Sequence, residues 1–206
     1  MFATLAKAIA LGFAVAAPVG PISVLCMQRT LTIGRAAGLA TGLGIALADA
    51  VYAALAAGGV GFAADFLVAQ ARWLLLAAGV FLVVLGLKIL KTEPKTLGGK
   101  VSDGALGRDV LTAFALTMAN PMTILALVAA FAALGLAEAG DTLRSGVLLV
   151  AGVFAGSMAW WIGLVAGVSM IHHQISPTAV HWINRAAGLV LAGFGAFAFG
   201  RGLVPG

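Results

Sequence analysis

Two apolar segments of this chain are each broken by proline at an equivalent place. The first, around residues 8–28, is interrupted by Ala17-Pro18-Val19-Gly20-Pro21-Ile22-Ser23. The second is interrupted by Ala119-Asn120-Pro121-Met122-Thr123, with Pro121 standing 100 residues after Pro21. A prolyl ring has no N–H to donate and clashes with the carbonyl four residues back. Pro18, Pro21 and Pro121 therefore strand the carbonyls of Ala14, Ala17 and Thr117. In lipid such groups must be satisfied by protein, water or ligand. Paired broken segments in matching positions of two halves point to a transporter binding site.

The lipid setting follows from composition. Of the 206 residues, 62% are apolar and only 9% are charged, against about 25% charged in a soluble domain. The chain reads as an all-α integral membrane protein. Its length allows about six spans of roughly 20 residues and leaves no room for a separate soluble domain. The 28 glycines suit close helix packing in lipid. A net charge of +5 does not indicate nucleic acid, because the basic residues are scattered at segment ends, where they set orientation. The single cysteine, Cys26, rules out an intrachain disulfide and a relay through paired thiols. It reads as a small packing residue. The N-terminal segment loosely resembles a signal peptide, but its apolar run continues past any cleavage site and has a partner in the second half. It is expected to be a span.

Charges and turn residues divide the chain into spans near residues 5–27, 37–60, 71–90, 110–136, 145–170 and 182–203. A polar linker over 91–109 carries the breakers Glu93-Pro94, Gly98-Gly99 and Asp103-Gly104. The two sides of this linker match. Pro21 falls on Pro121 and Ser23 on Thr123; Gly38 and Gly44 fall on Gly146 and Gly152, Asp49 on Ser157 and Tyr52 on Trp160. Ala77-Ala78-Gly79 falls on Ala186-Ala187-Gly188, and Gly86 on Gly195. The expectation is one transporter domain, with repeat one over 1–90, a cytoplasmic linker over 91–109 and repeat two over 110–206. Three spans is an odd number, so the second copy enters from the opposite side. The repeat is then inverted, with broken first and fourth helices and substrate sites near the midplane.

One side would carry Arg29, Arg35, Lys88, Lys91, Lys95, Lys100, Arg108 and Arg185; the other would carry Lys7, Arg72, Arg144 and Arg201. The positive-inside rule makes the first side cytoplasmic and puts both termini outside. Gln28 and Arg29 then end the first span, and Arg29 reads as a positive-inside anchor.

Asp49 is the only ionisable residue well inside a span. A carboxylate at the bilayer centre costs about 2.5–3.5 kcal/mol on insertion scales, so it should face the interior. Two functional roles fit: binding a cationic substrate group, or taking up and releasing a proton as access alternates. A structural role, bonding the broken backbone of the first span, also fits. Tyr52 follows three residues later on the same helical face, able to bond Asp49, line the cavity or pack in the core. The half-helix starting after each break points N–H groups and a positive dipole end at the cavity, which suits a carboxylate. The stranded carbonyls suit an ammonium. Asn120 adds an amide, and Ser23 and Thr123 add hydroxyls at matching places. Trp160-Trp161 sits mid-segment, where one indole is expected to face the cavity. Gly38-x-x-x-Gly42, Gly152-x-x-x-Gly156 and Gly163-x-x-x-Gly167 suit contacts within the bundle or, alternatively, a homodimer interface. His172, His173 and His181 lack an accompanying carboxylate or cysteine and read as a solvated loop rather than a metal site. No nucleophile–His–acid set, phosphate loop or metal-ligand cluster is present in the sequence, so neither an enzyme nor a cofactor is expected.

The run Ala17-Pro18-Val19-Gly20-Pro21-Ile22-Ser23-Val24-Leu25-Cys26, then Arg29-Thr30-Leu31, Gly34, Gly38-Leu39, Gly42-Leu43-Gly44 and Ala48-Asp49-Ala50-Val51-Tyr52, resembles the LysE family of amino-acid exporters, and Asn120-Pro121 matches that family's element in the fourth span. The resemblance covers the whole chain. It implies a bacterial inner-membrane exporter of basic amino acids, homoserine, threonine, branched-chain amino acids or related small solutes, driven by ion gradients or membrane potential. The motif residues carried over are Pro18, Gly20, Pro21, Asp49, Asn120 and Pro121. The resulting expectation is a secondary exporter of a small amino acid, exchanging protons at Asp49 and binding substrate at Pro18, Gly20, Pro21, Ser23, Asp49, Tyr52, Asn120, Pro121 and Thr123. Rival readings are an inorganic cation exporter of the same superfamily and a non-transporting membrane assembly factor.

Overall fold

The computed structural model describes residues 2–18, 20–57, 71–91, 103–120, 123, 143–171 and 176–203. Among these residues there are helices and no strand: α1 (Phe2–Ala16), α2 (Pro21–Thr32), α3 (Arg35–Ala57), α4 (Ala71–Lys91), α5 (Asp103–Met118), α6 (Leu143–Ile171) and α7 (Pro177–Leu203). Stretches 35–55, 144–170 and 181–203 are long and apolar enough to cross a membrane. Together α1 and α2 could make a further, broken span, with an angle of 81° between them. The large apolar side chains left exposed, among them Val80, Val84, Ile162, Leu189 and Phe197, suit lipid as the surrounding solvent.

The first break is built from local rules. Pro21 is the first residue of α2, where its missing N–H costs no helix bond. Gly20 caps the helix in extended conformation. Ser23 ties the turn together: its hydroxyl accepts from the Gly20 N–H at 3.5 Å and donates to the Pro18 carbonyl at 3.3 Å. The α2 helix then runs four residues past Gln28 and ends in a turn at Gly34, whose φ of +125° suits glycine.

Helix directions follow from the contacts. Gly152 lies against Leu5 and Ile9, and Gly156 against Ile9 and Phe13, so α1 and α6 run parallel. Gly44 lies against Val110 and Phe114, and Tyr52 reaches Met118, so α3 and α5 run parallel. Gly42 meets Trp161 while Asp49 meets Ser157, so α3 and α6 run antiparallel. It follows that α1 and α5 point in opposite directions. The α4 and α7 helices cross antiparallel at two glycine pairs. A Cβ on Gly79 would lie 2.8 Å from the Gly195 carbonyl oxygen, and one on Gly86 would lie 2.6 Å from that of Gly188. Only a hydrogen side chain allows backbones this close.

Helix α5 starts at Asp103, inside the stretch expected as linker. An aspartate at a helix start complements the positive end of the helix dipole. The linker between Lys91 and Asp103, the fourth span beyond Asn120 apart from Thr123, and His172-His173 lie outside the described residues.

Candidate functional site

The site is assembled where α3 crosses α6. Asp49 is 2% exposed, and its Oδ2 accepts a hydrogen bond of 2.7 Å from the Ser157 hydroxyl. Ser157 is fully buried and is the residue that the internal match sets opposite Asp49. One turn away on each helix, Ile45 and Trp161 pack with Ala16, Cys26, Ala113 and Val165, with Ile22 against the same cluster. This cluster joins the Asp49–Ser157 pair to both ends of the first break.

Tyr52 joins the pair to the second break. Its hydroxyl donates to the Met118 carbonyl at 2.6 Å, at the last residue of α5, so its proton is committed there rather than to Asp49. Beyond Met118 the chain turns. The Asn120 N–H donates to the Thr117 carbonyl at 3.1 Å, and the Thr123 N–H donates to the Asn120 carbonyl at 3.2 Å. The carbonyl expected to be stranded at Thr117 is thus satisfied by the broken strand of backbone itself. Tyr52→Phe removes the donor to Met118 and is expected to lower stability by about 1–3 kcal/mol, read as a fall in the detergent-solubilised melting temperature.

The structure therefore brings Asp49, Tyr52 and the second break together, and sets the first break one turn away. Ser23 is buried and its hydroxyl is used within its own turn; it stabilises the break. Pro18 is exposed, while Gly20, Pro21, Asn120 and Thr123 are half-buried. Pro121 lies outside the described residues. Trp161 is buried and Trp160 half-buried, with Trp160 edge-on to Phe13 at 5.2 Å. The indole N–H groups of both are buried with no hydrogen-bond partner among the described residues.

A second polar cluster was not foreseen. Arg29, which reads from the sequence as a positive-inside anchor, is buried among polar partners. It is 7% exposed, its Nε lies 3.3 Å from Asp109 Oδ1, and one terminal nitrogen donates to Thr41 Oγ1 at 3.0 Å and to the Asp109 carbonyl at 3.2 Å. The amide of Gln28 donates to Asn184 Oδ1 at 2.7 Å, and Asn184 donates to the Ile89 carbonyl at 2.9 Å. The sequence signal for this cluster is that Arg29 and the start of the fourth span fall on one expected side of the membrane, with Asp109 an acid at that start.

A family model described as LysE type translocator matches residues 13–201, nearly the whole chain. No curated protein and no solved structure matches it.

Proposed function

We propose that this chain, which belongs to the LysE type translocator family and so to the multi-pass membrane translocators, is a secondary exporter of a small amino acid, working by alternating access. One observation carries this reading. Asp49 is a buried carboxylate held by Ser157 between the two helix breaks, where a small zwitterion can be gripped at both ends. The substrate ammonium meets Asp49 or a backbone carbonyl at a break. Its carboxylate meets half-helix N-termini, and the buried indole N–H groups of Trp160 and Trp161 are further donors. Pro18, Gly20, Pro21, Asn120, Pro121 and Thr123 shape the breaks around it.

Two inverted three-helix repeats, joined by a cytoplasmic linker, give the carrier its two access states. Supporting the inversion, α1 and α5, which carry the two breaks, point in opposite directions. The matched glycines Gly44 and Gly152 make equivalent close approaches to α5 and α1. The match also exchanges the Gly79–Gly195 and Gly86–Gly188 crossings. Two matched residues that touch, as Asp49 and Ser157 do, lie on the axis relating the halves, so the site is equally near both faces. The positive-inside bias orients both termini outward in a bacterial inner membrane, and proton uptake at Asp49 couples efflux to the proton gradient.

Cells preloaded with a labelled amino-acid mixture test the reading. One amino acid is expected to leave faster with the wild type than with empty vector, and a protonophore is expected to slow it. Equal efflux of every amino acid, with membrane insertion confirmed, rules out the amino-acid assignment.

A further inference from the structure

We propose that Arg29 and Asp109, pinned on Thr41, form the gate that closes the central site toward the Arg29 face, and that opening to that face separates this ion pair. The proposal rests on the carrier reading above. Three helices meet at the pair: α2 gives Arg29, α3 gives Thr41 and α5 gives Asp109. The first two belong to repeat one, and the third lies on α5, the helix that runs on into repeat two, so rocking of the halves acts directly on this contact. Thr41 stands eight residues before Asp49 on α3, about 12 Å at 1.5 Å per residue. Between the two levels lie Ile45 on α3 and Ala113 on α5, members of the apolar cluster that also holds Cys26, one turn before Arg29 on α2. A path from Asp49 to the Arg29 face passes this cluster and then meets the ion pair.

The pair is suited to reversible separation. Both charged residues are at most 9% exposed, and buried charges persist only when paired. When the helices part, each charge regains water, so the lost contact is largely offset. An apolar staple has no such compensation. The internal match shows the contrast: it sets Leu149 at Thr41 and Ala129 at Arg29. At the opposite end Leu149 packs with Ala8, Leu11 and Val153 in an apolar cluster. Static closure is thus available to this chain without charge. Replacing a buried ion pair by apolar residues is often neutral or stabilising, so stability alone does not call for the pair.

The chain carries its own reporter, because Cys26 is its single cysteine and is buried one turn before Arg29, its thiol donating to the Gly38 carbonyl at 3.5 Å. The test is the rate of Cys26 alkylation by a water-soluble maleimide in proteoliposomes. Arg29→Gln and Asp109→Asn are each expected to raise the rate about tenfold or more, as the population open to that face grows. The exchanged pair Arg29→Asp with Asp109→Arg is expected to bring the rate back toward wild type. An unchanged rate in a monodisperse single variant makes the pair a static staple and overturns the proposal. So does faster labelling that the exchange fails to reverse, which reports general loosening. Asp109→Asn keeps the side-chain shape, so it carries the test should Arg29→Gln fail to fold. The readout needs no substrate, so failure of the amino-acid assignment leaves it standing, and failure here leaves efflux through Asp49 intact.

Discussion

Asp49→Asn is expected to abolish proton-coupled efflux, down to the empty-vector rate, while the protein still inserts and folds. The two halves of this expectation have separate causes. The fold survives because asparagine is isosteric with aspartate, and its side-chain oxygen still accepts from Ser157 across the α3–α6 crossing. A charged carboxylate at mid-membrane costs about 2.5–3.5 kcal/mol on insertion scales, so its loss does not weaken the bundle. Coupling disappears because the amide neither takes up a proton nor balances an ammonium. The measurement is efflux driven by an imposed proton gradient in proteoliposomes, with size-exclusion elution as the folding control. Unchanged coupling would remove Asp49 from the mechanism.

Gly44→Ala and Gly156→Ala are expected, with Gly12→Ala at the Val153 carbonyl oxygen, to be the most damaging single methyl additions among the described glycines. A Cβ on Gly44 would overlap the Val110 carbonyl oxygen and sit 3.0 Å from the Phe114 nitrogen. On Gly156 it would overlap the Ile9 carbonyl oxygen and sit 2.8 Å from the Phe13 nitrogen. These are backbone atoms, which cannot rotate away, so a whole helix must move. Overpacking costs about 1–3 kcal/mol and more where backbone shifts. At about 2–4 °C per kcal/mol for a chain of this size, the melting temperature falls by roughly 2–12 °C. Gly163→Ala is the control, because nothing lies within 4 Å of its added Cβ. There the better helix propensity of alanine, about 1 kcal/mol over glycine, is expected to leave stability equal or raised. A uniform response at Gly44, Gly156 and Gly163 would overturn this account of the helix contacts.

Much of the architecture was readable from residue types alone. Proline chemistry marks the first break where α1 gives way to α2, and puts the end of α5 just before Asn120-Pro121. Sparse charge marks the helices long enough to span a membrane. Helical spacing puts Tyr52 on the face of Asp49. Spacing did not reveal the acceptor of the Tyr52 hydroxyl, which is a carbonyl 66 residues away.

The contrast between Asp49 and Arg29 marks the boundary between the two kinds of information. Desolvation acts on a residue whatever its neighbours, so a carboxylate within an apolar run is recognisable as interior from its own segment. A charge at a helix end has two inexpensive environments, the headgroup layer or a buried partner, and its local sequence is the same in both. Only the packing of α2 against α3 and α5 decided between them for Arg29, by bringing Asp109 from 80 residues away to one guanidinium. The sequence by itself determined which groups could not face lipid. The tertiary structure decided which partner each of them met, because pairing depends on which helix covers a face, and the periodicity of one helix carries no information about its neighbour.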